Sequence, residues 1–77
     1  MRIEILGTGC PKCQALADNV EAAVRQLGLE AEIVKVTDIV AIAERGVMLT
    51  PALCIDGEVK LVGQVAGPEE LKGLLGA

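Results

Sequence analysis

The sequence predicts an α/β fold: a mixed four-stranded sheet with helices on both faces, in the order β-α-β-α-β-β-α. Three observations predict it. An apolar, β-branched run, Arg2–Leu6, passes through a glycine turn into a long segment with an apolar stripe at helical spacing. Two strand-like segments flank Asp56-Gly57, a two-residue hairpin signal. A closing segment opens with Pro68-Glu69-Glu70 and carries Leu71, Leu74 and Leu75 on one helical face. A right-handed crossover makes the first two strands parallel, and the hairpin adds an antiparallel pair.

Each element follows from its residues. Gly7 ends the first strand, and Gly7 and Gly9 let the chain turn sharply. The first helix starts at Cys10 or Pro11, where a proline gives up no needed N–H, and runs to about Leu27 before Gly28. Its stripe is Leu16, Val20, Ala23, Val24 and Leu27, with Cys13 one turn further back and Lys12, Asn19 and Gln26 on the wet side. Residues 30–37 contain Ile33-Val34-Lys35-Val36, a second strand with enough charge to suit a sheet edge. Thr37 or Asp38 caps a short helix over residues 39–45, stopped by Gly46. Ala52–Ile55 and Glu58–Val62 are the hairpin strands, residues 63–67 a loop, and residues 68–75 the last helix with acids at its positive end.

Composition narrows the function. The chain has 77 residues, 52% hydrophobic and 23% charged, which fits one folded domain over residues 1–77 rather than disorder. It has no Phe, Tyr or Trp and a net charge of −4, so it lacks both stacking platforms and attraction for phosphates; nucleic-acid binding is not expected. The longest uncharged stretch, residues 46–55, is far short of the ~20 residues of a membrane span. Arg2 and Glu4 interrupt the first apolar run, so no signal segment is read there and a cytoplasmic location is expected. Thiols in that compartment stay reduced unless they are working. Three cysteines exclude a full disulfide framework, and with no histidine to complete a ligand set a closed structural zinc site is not expected. A Cys10–Cys13 bridge would close a loop so short that its entropic gain is only about 2 kcal/mol, a poor staple.

The chemistry concentrates in Gly7-Thr8-Gly9-Cys10-Pro11-Lys12-Cys13. A thiol is nucleophilic as thiolate, and a helix N-terminus offers partial positive charge and free N–H groups. Cys10 sits at that terminus, and Lys12 adds a cation, so the Cys10 pKa is expected below the free value of about 8.5. Attack on a disulfide puts a mixed disulfide on Cys10. Cys13, one turn inward on the shielded stripe, is placed to resolve it.

The strand–turn–Cys-Pro-Lys-Cys–helix unit, Thr50-Pro51 before a hairpin, and the final amphipathic helix together resemble the thioredoxin/glutaredoxin superfamily. The likeness is closest to the small thioredoxin-like redox-active disulfide proteins of archaea and bacteria, which share the Gly-Thr-Gly-Cys start and the short length. The resemblance implies a thiol–disulfide oxidoreductase with no cofactor beyond a redox-active Cys10–Cys13 disulfide. It implies protein disulfides as substrates, an upstream reductase or low-molecular-weight thiol as electron source, and a monomer. It makes Pro51 a cis-proline facing the thiols, and has the backbone of Thr50 pair with an extended substrate segment. Gly63 resembles the glycine that leaves room for the partner's backbone, the plainer alternative being a strand-ending glycine. Gly9, Pro11 and Lys12 complete the groove. Where thioredoxins carry Trp before the first cysteine and Gly-Pro inside the motif, this chain has Gly9 and Pro11-Lys12, so partner preference does not transfer and glutathione stays open as reductant.

Glu4 lies six residues before Cys10, the offset of the buried acid that relays protons in thioredoxins, and Lys35 matches the lysine kept near it. Burial would raise the Glu4 pKa and suit it as a base for Cys13; the plainer alternative is a salt-bridged carboxylate. Cys54, facing away from Pro51 by strand parity, reads as a buried small apolar residue, or else a regulatory thiol. Met48 reads as core filler rather than metal ligand. The rival function is a soft-metal thiolate carrier of the copper-chaperone type, which also places Gly-x-x-Cys-x-x-Cys between a strand and a helix. That fold ends in a strand, whereas this sequence predicts a final helix, so a dithiol–disulfide oxidoreductase working as a reductant or isomerase is the favoured reading.

Overall fold

β1 (Arg2–Leu6) buries side chains on both of its faces, as a strand covered from two sides should. The structure, a computed structural model, describes residues 1–76. It places β1 inside a four-stranded sheet of order β2-β1-β3-β4. β2 (Glu32–Val36) pairs with it in parallel from the edge position, and β3 (Ala52–Ile55) pairs with it antiparallel. β3 and β4 (Glu58–Val62) form the hairpin, turning through Asp56 (φ 50°) and Gly57 (φ 84°), both positive as the tight two-residue turn requires. With α1 (Pro11–Leu27), α2 (Ile39–Glu44) and α3 (Pro68–Gly76) the order is the predicted β-α-β-α-β-β-α.

Strand parity divides the interior into two layers. Ile3 and Ile5 of β1, with Leu53 and Ile55 of β3, face α1 and α3 and meet Leu16, Val20, Leu71 and Leu75. Leu6, Ala52 and Cys54 face the other way and meet Ile42 of α2 and Val47 behind it. Helices therefore cover both faces. Asp38 caps α2, its Oδ1 accepting from the Val40 N–H at 3.0 Å. Of the two residues the sequence offered for that cap, Asp38 serves.

Two expectations need correcting. The α1 stripe is Cys13, Leu16, Ala17, Val20 and Ala23, with half-buried Val24 packed against the core as expected; Leu27 is exposed. Gly28 closes the helix in the left-handed region, and the Leu29 N–H returns to the Val24 carbonyl at 3.1 Å. That closure brings Leu29 and Val24 against the core where Leu27 was expected. Met48 is not core filler: it is 89% exposed, because Val47 takes the inward place and the chain then runs along the surface to Thr50.

Candidate active site

The turn after β1 delivers two sulfurs in unlike surroundings. Gly7 extends the ladder by one bond, its N–H donating to the Val36 carbonyl at 2.9 Å. Gly9 (φ 88°) then redirects the chain, and Cys10 is the N-cap of α1, extended at φ −70° and ψ 165°. Its carbonyl accepts the first helical bond from Gln14 at 3.0 Å, while its side chain caps nothing and is free for chemistry. Cys10 is half-buried; Cys13 is 5% exposed. Their Sγ atoms are 2.8 Å apart and hydrogen-bonded.

Hydrogen bonding makes the thiols electrostatically opposite. Donation from the Cys13 thiol is the largest influence lowering the Cys10 pKa, followed by the Cys13 backbone N–H; the Lys12 N–H adds to it. Lys12 thus acts through its backbone, correcting the expectation that its side-chain charge does the work. The Cys13 pKa is raised, by burial first and then by its bond to Cys10.

Gly7 is the residue that sequence reasoning undervalued. A Cβ there would lie 2.3 Å from the Cys13 Sγ and 3.1 Å from its Cβ, so the buried thiol rests directly on a bare backbone. The sequence held no signal for this role: only the structure reveals that Gly9 alone supplies the positive φ of the turn.

The Thr50–Pro51 peptide bond is cis, and Pro51 is buried beneath the same turn, its Cα 3.9 Å from where a Gly7 side chain would start. Thr8, Gly9, Pro11, Lys12 and Thr50 are exposed. Gly63 donates its N–H to the Pro51 carbonyl at 2.8 Å. At φ 71°, and with a Cβ position 3.2 Å from the Leu49 side chain, Gly63 is required by its own backbone as well as by its neighbour. A groove of about 300 Å³ runs beside the turn, lined by Thr8, Ile39, Ile42, Ala43, Val47, Met48 and Thr50.

Glu4 stands apart from the thiols. It lies in the sheet layer of Leu6 and Cys54, its register partner being Cys54, while Cys13 lies in the layer of Ile5. Arg45 holds its carboxylate by two bonds of 2.6 Å each. Those bonds outweigh burial, so the Glu4 pKa is lowered rather than raised. Lys35 is not its partner: it pairs in register with Ile5 and borders a small space of about 40 Å³ beside Cys13. The relay expected of Glu4 toward Cys13 loses its basis, and the plainer salt-bridged reading describes it. Cys54 is buried as expected, its pKa pushed up by burial and then by the Glu4 charge.

A sheet of this order with two cysteine sulfurs paired at the mouth of its first helix fits a thiol–disulfide oxidoreductase. Comparison with known proteins narrows the class. Residues 1–76 match the family model described as "Thioredoxin domain". The chain is 45% identical over 75 residues to a protein named Thioredoxin from Methanothermobacter thermautotrophicus, covering 97% of each. It is 49% identical over 70 residues to one named Thioredoxin from Methanocaldococcus jannaschii, covering 91% of this chain and 80% of that one. The chain belongs to the thioredoxin domain family and is a thiol–disulfide oxidoreductase of thioredoxin type. The metal-carrier alternative loses its fold, since β4 is followed by helix α3 rather than a final strand. Among the described residues no group of three or more Cys, Asp or Glu side chains is gathered to hold a metal ion, and no helix is long and apolar enough to cross a membrane.

Proposed function

We propose that Cys10 is the attacking thiolate, that Cys13 resolves, and that the chain reduces protein disulfides whose extended segment lies along Thr50-Pro51. The observation that carries this reading is the asymmetry of the pair: a half-exposed thiol of lowered pKa 2.8 Å from a buried thiol of raised pKa. The Cys10 thiolate attacks one sulfur of the substrate disulfide; a bond forms to Cys10, and the other substrate sulfur leaves as thiolate and takes a proton from solvent. The Cys13 thiol then loses its proton and attacks Cys10, expelling the second substrate thiolate and leaving a Cys10–Cys13 disulfide. Two electrons pass to the substrate, and an upstream reductase or low-molecular-weight thiol restores them.

Gly9, Pro11 and Lys12 border the attacking sulfur, and Gly63 sits behind Pro51, bonded to its carbonyl. The absence of a histidine inside the Cys-Pro-Lys-Cys motif, which would stabilise the reduced thiolate further and favour a strong oxidant, supports work as a reductant; our reading has it act in the cytoplasm as a monomer, with the Cys10–Cys13 disulfide as its redox group. Trapping tests the roles. A Cys13→Ser variant incubated with oxidised insulin should accumulate a mixed disulfide on Cys10, seen as an added mass, whereas Cys10→Ser should neither trap nor turn over. Trapping by the Cys10→Ser variant, or turnover without it, would reverse the assignment.

A further inference from the structure

The Glu4–Arg45 pair has no part in the thiol chemistry, and its geometry asks for another purpose. Glu4 is 3% exposed, and the Arg45 guanidinium, 36% exposed, meets it with both forks. A two-point contact of this kind fixes direction as well as distance. Stability alone is a weak reason for it, because apolar residues of equal volume often do as well at such sites.

What the pair joins is informative. Glu4 belongs to β1, which runs three residues on into Gly7 and Thr8; Arg45 is the C-cap of α2. Thr8, of the turn before Cys10, and Thr50 line part of the groove, and Ile39, Ile42, Ala43, Val47 and Met48 of the α2 segment supply the rest of its lining, the second wall. The second wall has few anchors of its own. α2 spans six residues, too short to hold itself. Only Ile42 and Val47 of this segment are buried; Ile39, Val40, Met48 and Leu49 are exposed. Two buried side chains give this segment little apolar anchorage, and the arginine fork adds a directional contact from it to β1.

We propose that Glu4–Arg45 is a positioning pair for substrate binding: it clamps the α2 wall to β1 and so sets the width of the groove beside Cys10. The occupant is the segment of the substrate protein that flanks its disulfide, because Thr8 and Thr50 border both the groove and the dithiol turn. The groove lining carries no charged side chain in a chain of net charge −4, so the flanking substrate residue it accepts is apolar. This rests on the reading that Cys10 attacks and the substrate lies along Thr50-Pro51.

The test separates binding from chemistry. Arg45→Lys keeps the charge opposite Glu4 and removes the second contact. The double variant Glu4→Leu/Arg45→Met replaces the pair by apolar bulk and serves should the single variant fold poorly. Both are compared with wild type for kcat and KM on oxidised insulin, and for the alkylation rate of Cys10 by iodoacetamide, which needs no groove. The clamp predicts KM raised roughly 3- to 30-fold, short of the ~100-fold that a 1 Å displacement costs at reacting atoms, with kcat and alkylation within about twofold of wild type. An unchanged KM in the folded variants, or alkylation falling in step with insulin reduction, overturns it. Failure of the wild-type Cys10 assignment would show instead in the Cys13→Ser trap, with KM in the Arg45 variants left to judge the clamp alone.

Discussion

A side chain at position 7 has nowhere to go. With its Cβ 2.3 Å from the Cys13 sulfur, Gly7→Ala must push the buried thiol or the backbone aside, and overpacking of this kind costs about 1–3 kcal/mol. The expected result is a lower unfolding midpoint together with iodoacetamide labelling of Cys13 in the native state, read by peptide mass. Labelling confined to Cys10 would mean the turn relaxes without moving the sulfur. Cys10 carries a second prediction. Because the Cys13 thiol is the largest influence lowering its pKa, Cys13→Ala should move the midpoint of the Cys10 alkylation-rate profile to higher pH, slowing the reaction at neutrality. The unequal thiols were legible in the sequence, since one falls on the helix cap and the other on its apolar stripe. The source of the inequality was not: the sequence puts a lysine beside Cys10, and only coordinates reveal that its backbone N–H matters. Gly7 was legible as a turn and illegible as a seat for sulfur.

At the scale of elements, strands and helices were legible because glycine, proline and Asp-Gly signals bound them tightly. β3 and β4 fall on their predicted residues, and α2 loses only Arg45, which becomes its cap. Where a helix faces is harder to read at its end. The period carries the α1 stripe on to Leu27, but the left-handed closure at Gly28 turns Leu29 inward in its place. The correction can be checked by truncation. Leu16→Ala, inside the core, should cost about 2–5 kcal/mol in urea unfolding, and Leu27→Ala within about 0.5 kcal/mol. Equal losses would restore the sequence-based stripe. Met48 misled for a similar reason: an apolar residue between a helix and a buried strand reads as core until Val47 is seen to fill the place.

Across the whole molecule, the two faces of the sheet answer different questions. Parity alone separates Glu4 from Ile5, yet the offset from Cys10 drew Glu4 toward the thiols. The coordinates put it against Arg45, with Arg2 and Cys54 as its other ionisable neighbours. Its folded pKa is lowered, so its contribution to stability is complete above the ordinary carboxylate value of 4.5 and is lost as pH falls through the folded value. Urea unfolding should therefore show stability falling below about pH 4.5, with a shallower acid limb in Glu4→Gln. An identical acid limb in the variant would assign the loss to other carboxylates. Neither the Cys10 nor the Cys13 acidity draws on Glu4 or Arg45. One layer of backbone insulates the reactive side from the adhesive side. A protein built this way can exchange its clientele by edits on one surface while its electron chemistry stays as it was, and an engineer can turn either dial without disturbing the other.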